Sequence, residues 1–357
     1  MNVWGNNFKI SIFGESHGEG IGVVIDGIPA GVELDMEKIA LQMRRRAPGR
    51  NSMSTPRSEA DEVKILSGFF NGKTTGTPLC GVIFNENTRS KDYTPELMRP
   101  GHADFTAICK YGESRDFRGG GHFSGRITAP LVFAGAIARQ ILEKNGIAIG
   151  THIYSIGDIK DTPFEMTHLE KGVLHKLATE DFPVINEEIS EKMKALIESK
   201  RNENNSIGGM IECGVCGIPQ GVGSPFFESV ESRISSMMFS IPAVKGIEFG
   251  AGFEFSKMDG KTANDEFYVK DGQIKTYTNN NAGINGGITN GMPIVFRLAI
   301  KPTPSISQIQ KTVDISKYEN AEIEIKGRHD PCIVHRAAVV VENATAIAIL
   351  DMMQGVL

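Results

Sequence analysis

The residues best suited to chemistry sit in short glycine-flanked segments. "GESHG" (residues 14–18) sets Ser16 and His17 after an apolar run, "RPGHAD" sets His102 between Arg99 and Asp104, and "GRHDPC" groups Arg328, His329 and Asp330. Imidazoles and a carboxylate on glycine-rich loops suit proton transfer. Near an anion, the pKa of such a histidine is pulled two ways, down by neighbouring cations and up by the anion, and the sequence leaves the balance open. "GESHG" matches G-x-S-x-G to the letter, but "EGIGVVID" follows and reads as a strand. A hydrolase nucleophile elbow requires a helix there.

The next group reads as an anion site. "RDFRGGGHFSGR" (residues 115–126) packs three glycines between arginines and runs into an apolar helix opening at Thr128. Glycines let a ligand reach backbone N–H groups, and a helix N-terminus adds about half a positive charge. Arg115, Arg118 and Arg126 would supply fixed donors, so phosphate or carboxylate is the expected ligand. No G-K-[ST] follows, which excludes a Walker loop, and no G-x-G-x-x-G opens a helix after a strand, so no dinucleotide domain is expected. "RRRAPGRNSMSTPR" (residues 44–57) carries five arginines and no acid. By itself it reads as a basic helix end favourable to the dipole.

Helices and strands must position these groups. Asp35 caps a helix with Met36, Ile39, Ala40 and Met43 on one face, stopped by Ala47-Pro48-Gly49. Residues 186–201 and 229–240 read as half-buried helices. "TAPLVFAGAIARQILEKNG" from Thr128, taken as its cap, and "AAVVVENATAIAILDMM" from Ala337 are apolar all round, hence buried helices. Strands are expected at residues 8–13, 63–69, 147–154 and 244–253. The mixture is α+β rather than strict β–α alternation.

Two signatures occur twice in the same order. "GIPAGV" from Gly27 returns as "GIPQGV" from Gly217, and "GKTTGTP" from Gly72 returns as "GITNGMP" from Gly287. A duplicated unit accounts for both.

Composition limits the rest. With 357 residues, 40% of them hydrophobic, the chain can fill a real core. No apolar run has membrane-spanning length and no secretion pattern opens the chain, so a cytoplasmic protein is expected. Five scattered cysteines fit a reducing compartment, and Cys213 and Cys216 read as strand residues rather than a metal pair; no metal site is expected. A net charge of −5 and 7% aromatic content argue against nucleic acid. His152, His168 and His175 lie in surface-like contexts.

Taken together, "FGESHG", "RRRAPGR", "RPGHADFTAICKYG", "RDFRGGGHFSGR", "SIPAVKGIEFGAGF", "GGITNGMPI", "KPTPSI" and "GRHDPC" resemble, in order and along essentially the whole chain, the chorismate synthase family. The resemblance implies a single domain over residues 1–357 with a β-α-β sandwich built from two similar halves, about 1–150 and 205–357, joined by a helical region 151–204. It implies 1,4-anti elimination of phosphate from 5-enolpyruvylshikimate 3-phosphate, with reduced FMN and no net redox change, in a homotetramer. An external flavin reductant is expected, and NADPH alone is expected to serve poorly.

By matching motifs, His17 would protonate the departing phosphate, His102 would manage the proton at flavin N1, and Asp330 with Ser16 would sit by flavin N5. Arg46, Arg99, Arg126 and Arg328 would clamp anions, with Arg45, Arg50 and Arg57 in support. His122, Phe123, Ser124, Ala243, Gly287, Lys301, Thr303 and Ser305 fall where the family lines its flavin site. Many members read "GGGRSSAR" where this chain has "GGGHFSGR", and "SINA" where it has "SIPA", so His122, Phe123 and Pro242 are departures. A phosphate-binding protein without catalysis would explain the glycine and arginine loops, but not two loop histidines plus Asp330. An RNA-binding module would explain only residues 44–57.

Overall fold

The computed structural model describes residues 2–49, 61–85, 94–325 and 329–353. Arg50, Arg57 and Arg328 lie outside the described residues. Strands Val3–Trp4 (β1), Lys9–Gly14 (β2), Gly20–Asp26 (β3), Lys64–Ser67 (β4) and Leu79–Phe84 (β5) form one sheet, ordered β1-β2-β3-β5-β4. Ala148–Ile156 (β6), Ile159–Lys160 (β7), Gly209–Cys216 (β8), Val244–Phe249 (β9) and Ile294–Ile300 (β10) form the second, ordered β9-β10-β8-β6-β7. Neighbouring strands in both sheets are antiparallel.

The helices are α1 (Met36–Arg46), α2 (Asp104–Tyr111), α3 (Thr128–Lys144), α4 (Lys171–Leu177), α5 (Glu187–Asn202), α6 (Val230–Met238), α7 (Gly260–Ala263) and α8 (Val334–Met353). Asp35, Asn186 and Ser229 cap α1, α5 and α6 through their side chains, each satisfying backbone N–H groups that the first turn leaves open. Thr128 does not cap α3. The chain arrives already turning, through a 3₁₀ turn at Gly125–Ile127, and Ser124 accepts from the Arg126 N–H while Thr128 Oγ1 donates to the Gly125 carbonyl at 2.6 Å.

Helices α3 and α8 lie between the sheets. They are buried around their circumference, as sequences apolar on every side require. Gly135 of α3 rests on Asn343 of α8, where a Cβ would overlap the backbone; Gly81 of β5 receives the Phe133 ring; Thr151 of β6 donates to the Ala338 carbonyl at 3.1 Å. Full burial of Phe133, Ile137 and Leu142 contributes about 1.5–3 kcal/mol each. Among the described residues, no helix is long and apolar enough to cross a membrane.

Both recurring signatures fold into one local arrangement. Thr74 Oγ1 donates to Pro29 O and accepts from Val32 N, while Thr74 O and N pair with Gly31 N and Val32 O. Thr289 makes the same four bonds with Pro219, Val222 and Gly221. Residues 151–204 are not helical throughout, since they hold most of β6 and all of β7 before α4 and α5.

Two further expectations need correcting. The strand expected over 244–253 ends at Phe249, because Gly250 and Gly252 take left-handed φ values of 57° and 54° and turn the chain into a 3₁₀ segment. His152 is not a surface residue. It is fully buried on β6, with Asp161 Oδ2 at 3.0 Å from one ring nitrogen and Glu212 Oε2 at 2.9 Å from the other. Burial pulls its pKa down, but the two carboxylates outweigh this and hold it above the usual histidine value. Their other oxygens are also filled, by Arg297 and by backbone N–H groups of Thr162 and Asn186. His168 and His175 are exposed.

Candidate active site

The turn after β2 interlocks with the triple-glycine loop. Gly14 leaves the strand with φ 96°, and Ser16 and His17 are buried beyond it. Ser16 N donates to Gly121 O at 3.1 Å, and His122 Nδ1 lies 2.8 Å from Gly14 O, so its N–H donates to that carbonyl. Gly119, Gly120 and Gly121 all have positive φ, but their open sides face different things. A Cβ on Gly119 would overlap the His17 ring and crowd Ser16 Oγ, one on Gly121 would overlap the Asp116 carbonyl, and one on Gly120 would meet only Ser124 at 3.9 Å. The expectation that the glycines as a set clear space for a ligand is therefore narrowed to Gly120. Gly119 makes room for the catalytic candidates themselves.

The arginines of this segment also separate. Arg118 forks onto Asp116 with both bonds at 2.8 Å and stays half exposed, while Arg115 reaches the carbonyls of Gly112 and Pro95. Arg126 turns inward. Its Nη1 meets Asp61 Oδ1 at 2.8 Å and its Nε meets Asn85 Oδ1 at 2.6 Å. Asn85 in turn donates to Glu15 O and Gly18 O, on either side of Ser16 and His17. Arg46, at the end of α1, gives Nη2 to Asp61 Oδ2 at 2.6 Å. Asp61 thus joins two arginines that lie 80 residues apart. Arg45 points elsewhere, into the core, where it meets Gln42, Glu342 and the carbonyls of Leu177 and Glu180. Burial pushes its guanidinium down to about 10.

His102 belongs to a second cluster. Arg99 forks onto Asp104 at 2.7 and 2.8 Å, bracketing the turn, and Lys301 Nζ donates to Gly101 O at 2.6 Å. His102 Nδ1 is 3.1 Å from Pro100 O and Nε2 is 2.7 Å from Ser305 Oγ. The carbonyl can only accept, so Nδ1 carries the proton and Nε2 accepts from the hydroxyl. Burial, then Arg99, push the His102 pKa down to about 4, the direction expected of neighbouring cations before an anion binds. Ala243 holds φ 74°, rare for a residue with a side chain, and its carbonyl accepts from Lys301 N. Phe123 is half exposed, 6.3 Å from the Tyr111 ring, whereas Gly287 packs against Ser229 at the start of α6.

Backbone and side-chain bonds join the clusters. Ser206 Oγ donates to Thr303 O at 2.6 Å, Ile207 N to Pro331 O at 2.8 Å, and Asp330, beside Pro331, accepts from Arg336 Nη1 at 2.7 Å. Arg336 Nε donates to Arg46 O at 3.1 Å. Hydrogen bonds and short steps along the chain therefore tie the Ser305 and His102 cluster through Asp330 and the Arg46–Asp61–Arg126 group to the turn that carries Ser16 and His17. Asp61, Asn85 and Arg336 were not legible in the sequence, because each acts on a residue distant in the chain. The groups also fit phosphorylated ligands. Among the described residues, Arg46 Nε and Thr303 Oγ1 are buried without a hydrogen-bond partner, as expected of groups that a ligand would complete.

Imidazole, hydroxyl, carboxylate and guanidinium groups gathered by loops on this frame define an acid–base enzyme for an anionic substrate. Comparison narrows the class. The sequence matches the chorismate synthase family over residues 8–354. It is 49% identical to chorismate synthase of Lachnospira eligens, over 98% of this chain and 94% of that protein. It is 45% identical to chorismate synthase of Dehalococcoides mccartyi BAV1, over 98% and 96%. A crystal structure of chorismate synthase matches with a TM-score of 0.78 at 30% identity, covering 99% of this chain and 94% of that one. The chain belongs to the chorismate synthase family, lyases of the shikimate pathway that act on 5-enolpyruvylshikimate 3-phosphate, and membership implies reduced FMN.

Proposed function

We propose that Ser16, His17, His102, Asp330 and the surrounding arginines are where 5-enolpyruvylshikimate 3-phosphate loses its phosphate and a ring hydrogen. The observation that carries this reading is the set of hydrogen bonds that, with short steps along the chain, ties the His102 turn through Asp330, Arg46 and Asp61 to the turn that holds Ser16 and His17. Arg46, Arg99, Arg126 and Arg328 hold the substrate's phosphate and carboxylates, Arg50 and Arg57 assist, and Arg45 braces the same helix from the core side through Glu342. His17, fixed against Gly119, protonates the phosphate oxygen as the carbon–oxygen bond breaks. His102 enters neutral and takes a proton at Nε2, where the Ser305 hydroxyl can give way.

His122, Phe123, Ser124, Ala243, Gly287, Lys301, Thr303 and Ser305 would line the site of reduced FMN, whose bound isoalloxazine supplies an electron-rich acceptor for the ring hydrogen. Asp330, aided by Ser16, holds the proton balance on that side. The buried, unpartnered Thr303 hydroxyl supports a ligand there. An external reductant keeps the flavin reduced.

The protein works in the cytoplasm as a homotetramer. Free thiols at all five cysteines fit a reducing compartment, and the almost fully exposed Phe226 and Phe227 fit a covered interface. The two halves descend from one unit. Support comes from the equivalent Thr74 and Thr289 turns and from a shared order of two strands, helix, two strands and buried helix, β2-β3-α1-β4-β5-α3 and β6-β8-α6-β9-β10-α8, once the intervening α2 of the first half and β7, α4, α5 and α7 of the second are set aside as insertions. In this reading the second unit starts at β6 rather than near residue 205. Anaerobic assay with substrate and chemically reduced FMN should yield chorismate and phosphate, and NADPH as sole reductant should yield little. No chorismate with reduced FMN would sink the reading; efficient turnover on NADPH alone would remove the external reductant.

A further inference from the structure

Arg336 stands in the first turn of α8, where unpaired N–H groups already concentrate positive charge. A cation there opposes the helix dipole, so helix stability does not explain it. Its side chain is 20% exposed, and that of its partner Asp330 is 12% exposed. Burial pushes the guanidinium below the usual arginine range, with Asp330 opposing and Arg46 adding to the shift. A half-buried cation at an unfavourable helix end persists only where fixed partners compensate. Arg336 has two, contacted at once: Nη1 to Asp330 Oδ2 at 2.7 Å and Nε to Arg46 O at 3.1 Å.

The second bond ties this pair to the anion-binding side. Arg46 continues through its own guanidinium to Asp61, and Asp61 to Arg126. We propose that Arg336 is a positioning residue, a bracket that fixes the Asp330 carboxylate relative to the Arg46–Asp61–Arg126 clamp by bonding to both. The inference rests on the role read for Asp330 above. Nε and Nη1 lie in one rigid plane, so the guanidinium sets the spacing of its two acceptors. Lysine has one nitrogen and cannot span both. Glutamine keeps polarity but loses charge and reach.

The test uses full-length protein, anaerobically, with dithionite-reduced FMN, after circular dichroism and thermal melting have verified folding. Arg336→Gln is expected to lower kcat on the order of 10²-fold, as misplacement of a reacting group does, while substrate KM changes by no more than about threefold. FMN affinity, read separately by fluorescence titration of the oxidised flavin, should also hold within about threefold, since the bracket orients rather than binds. Arg336→Lys should recover little of the rate, and it gives the same comparison if the glutamine variant does not fold. The combined Arg336→Gln and Asp330→Asn variant should be no slower than Asp330→Asn alone, because one acts through the other. Multiplying losses in the double variant, or a near-normal Arg336→Gln beside a slow Asp330→Asn, would overturn the bracket alone. A near-normal Asp330→Asn would instead remove the role read for Asp330, and the bracket with it.

Discussion

His152 is fully buried and His102 half-buried, and both have both ring nitrogens occupied, yet they are built for opposite ends. His152 lies between two carboxylates whose remaining oxygens are filled by Arg297 and by backbone N–H groups; burial lowers its pKa, but the carboxylates outweigh this and raise it, and both ring nitrogens are held in place. His102 lies between a carbonyl and a hydroxyl; partial burial, then Arg99 and to a smaller degree Lys301, push its pKa down to about 4 against the opposing Pro100 carbonyl and Asp104. The first set has nothing left to give. The second keeps a basic nitrogen behind a hydroxyl that can turn away, and near it Thr303 Oγ1 is left without a partner among the described residues. The saturated set reads as structure; the unpartnered Thr303 hydroxyl near His102, set among loop residues with acid–base side chains, fits a site that a ligand completes.

The largest effect expected on the site side is loss of a proton-transfer group. His17→Ala and His102→Ala should each lower turnover on the order of 10²-fold or more with folding retained, since both sit on loops. Near-normal turnover in either variant would return that histidine to the structural class with His152.

A second comparison sits within the triple glycine. Gly119→Ala should cost far more turnover than Gly120→Ala, because both strain a positive φ but only the first drives a methyl into the His17 ring. Kinetics of the two variants side by side decide it; equal losses would mean backbone strain alone is at work.

Much of this was legible in the sequence, and the misses share a cause. Asp35, Asn186 and Ser229 were readable as caps because a cap acts on the next three residues. The buried character of α3 and α8 was readable because it is periodic. "RDFRGGGHFSGR" was readable as a close approach, but not what approaches, since His17 lies about a hundred residues earlier. His152 was misread because "AIGTHIYSI" carries polar residues as a solvated strand would, and only the carboxylates of Asp161 and Glu212 make its burial affordable.

Acidity separates the histidines by sign. His102 and His335, both lowered to about 4, favour the folded state fully above the unfolded value near 6.5 and lose that contribution as pH falls towards 4. His152, raised, contributes fully below about 6.5 and loses its contribution as pH rises through its folded pKa. Neither nitrogen of His335 has a hydrogen-bond partner among the described residues, and its ring stacks on Phe182. His335→Leu should therefore flatten the fall in thermal midpoint between pH 6.5 and 4, modestly and without changing turnover. An unchanged slope would mean that other groups carry it.

The contrast between a saturated and an incomplete network is tested most directly by substrate affinity. Calorimetric titration of 5-enolpyruvylshikimate 3-phosphate into wild type, Arg126→Lys and His152→Gln compares the two regions in one measurement. Arg126→Lys should weaken binding more than about tenfold, because lysine keeps the charge but loses the planar fork, and should lower the thermal midpoint less than His152→Gln does, because the ammonium can keep its pair with Asp61. His152→Gln should leave affinity within about twofold and lower the midpoint sharply, since breaking a buried ion pair costs about 3–5 kcal/mol. The reverse pattern, with affinity lost at His152 and kept at Arg126, would contradict the account.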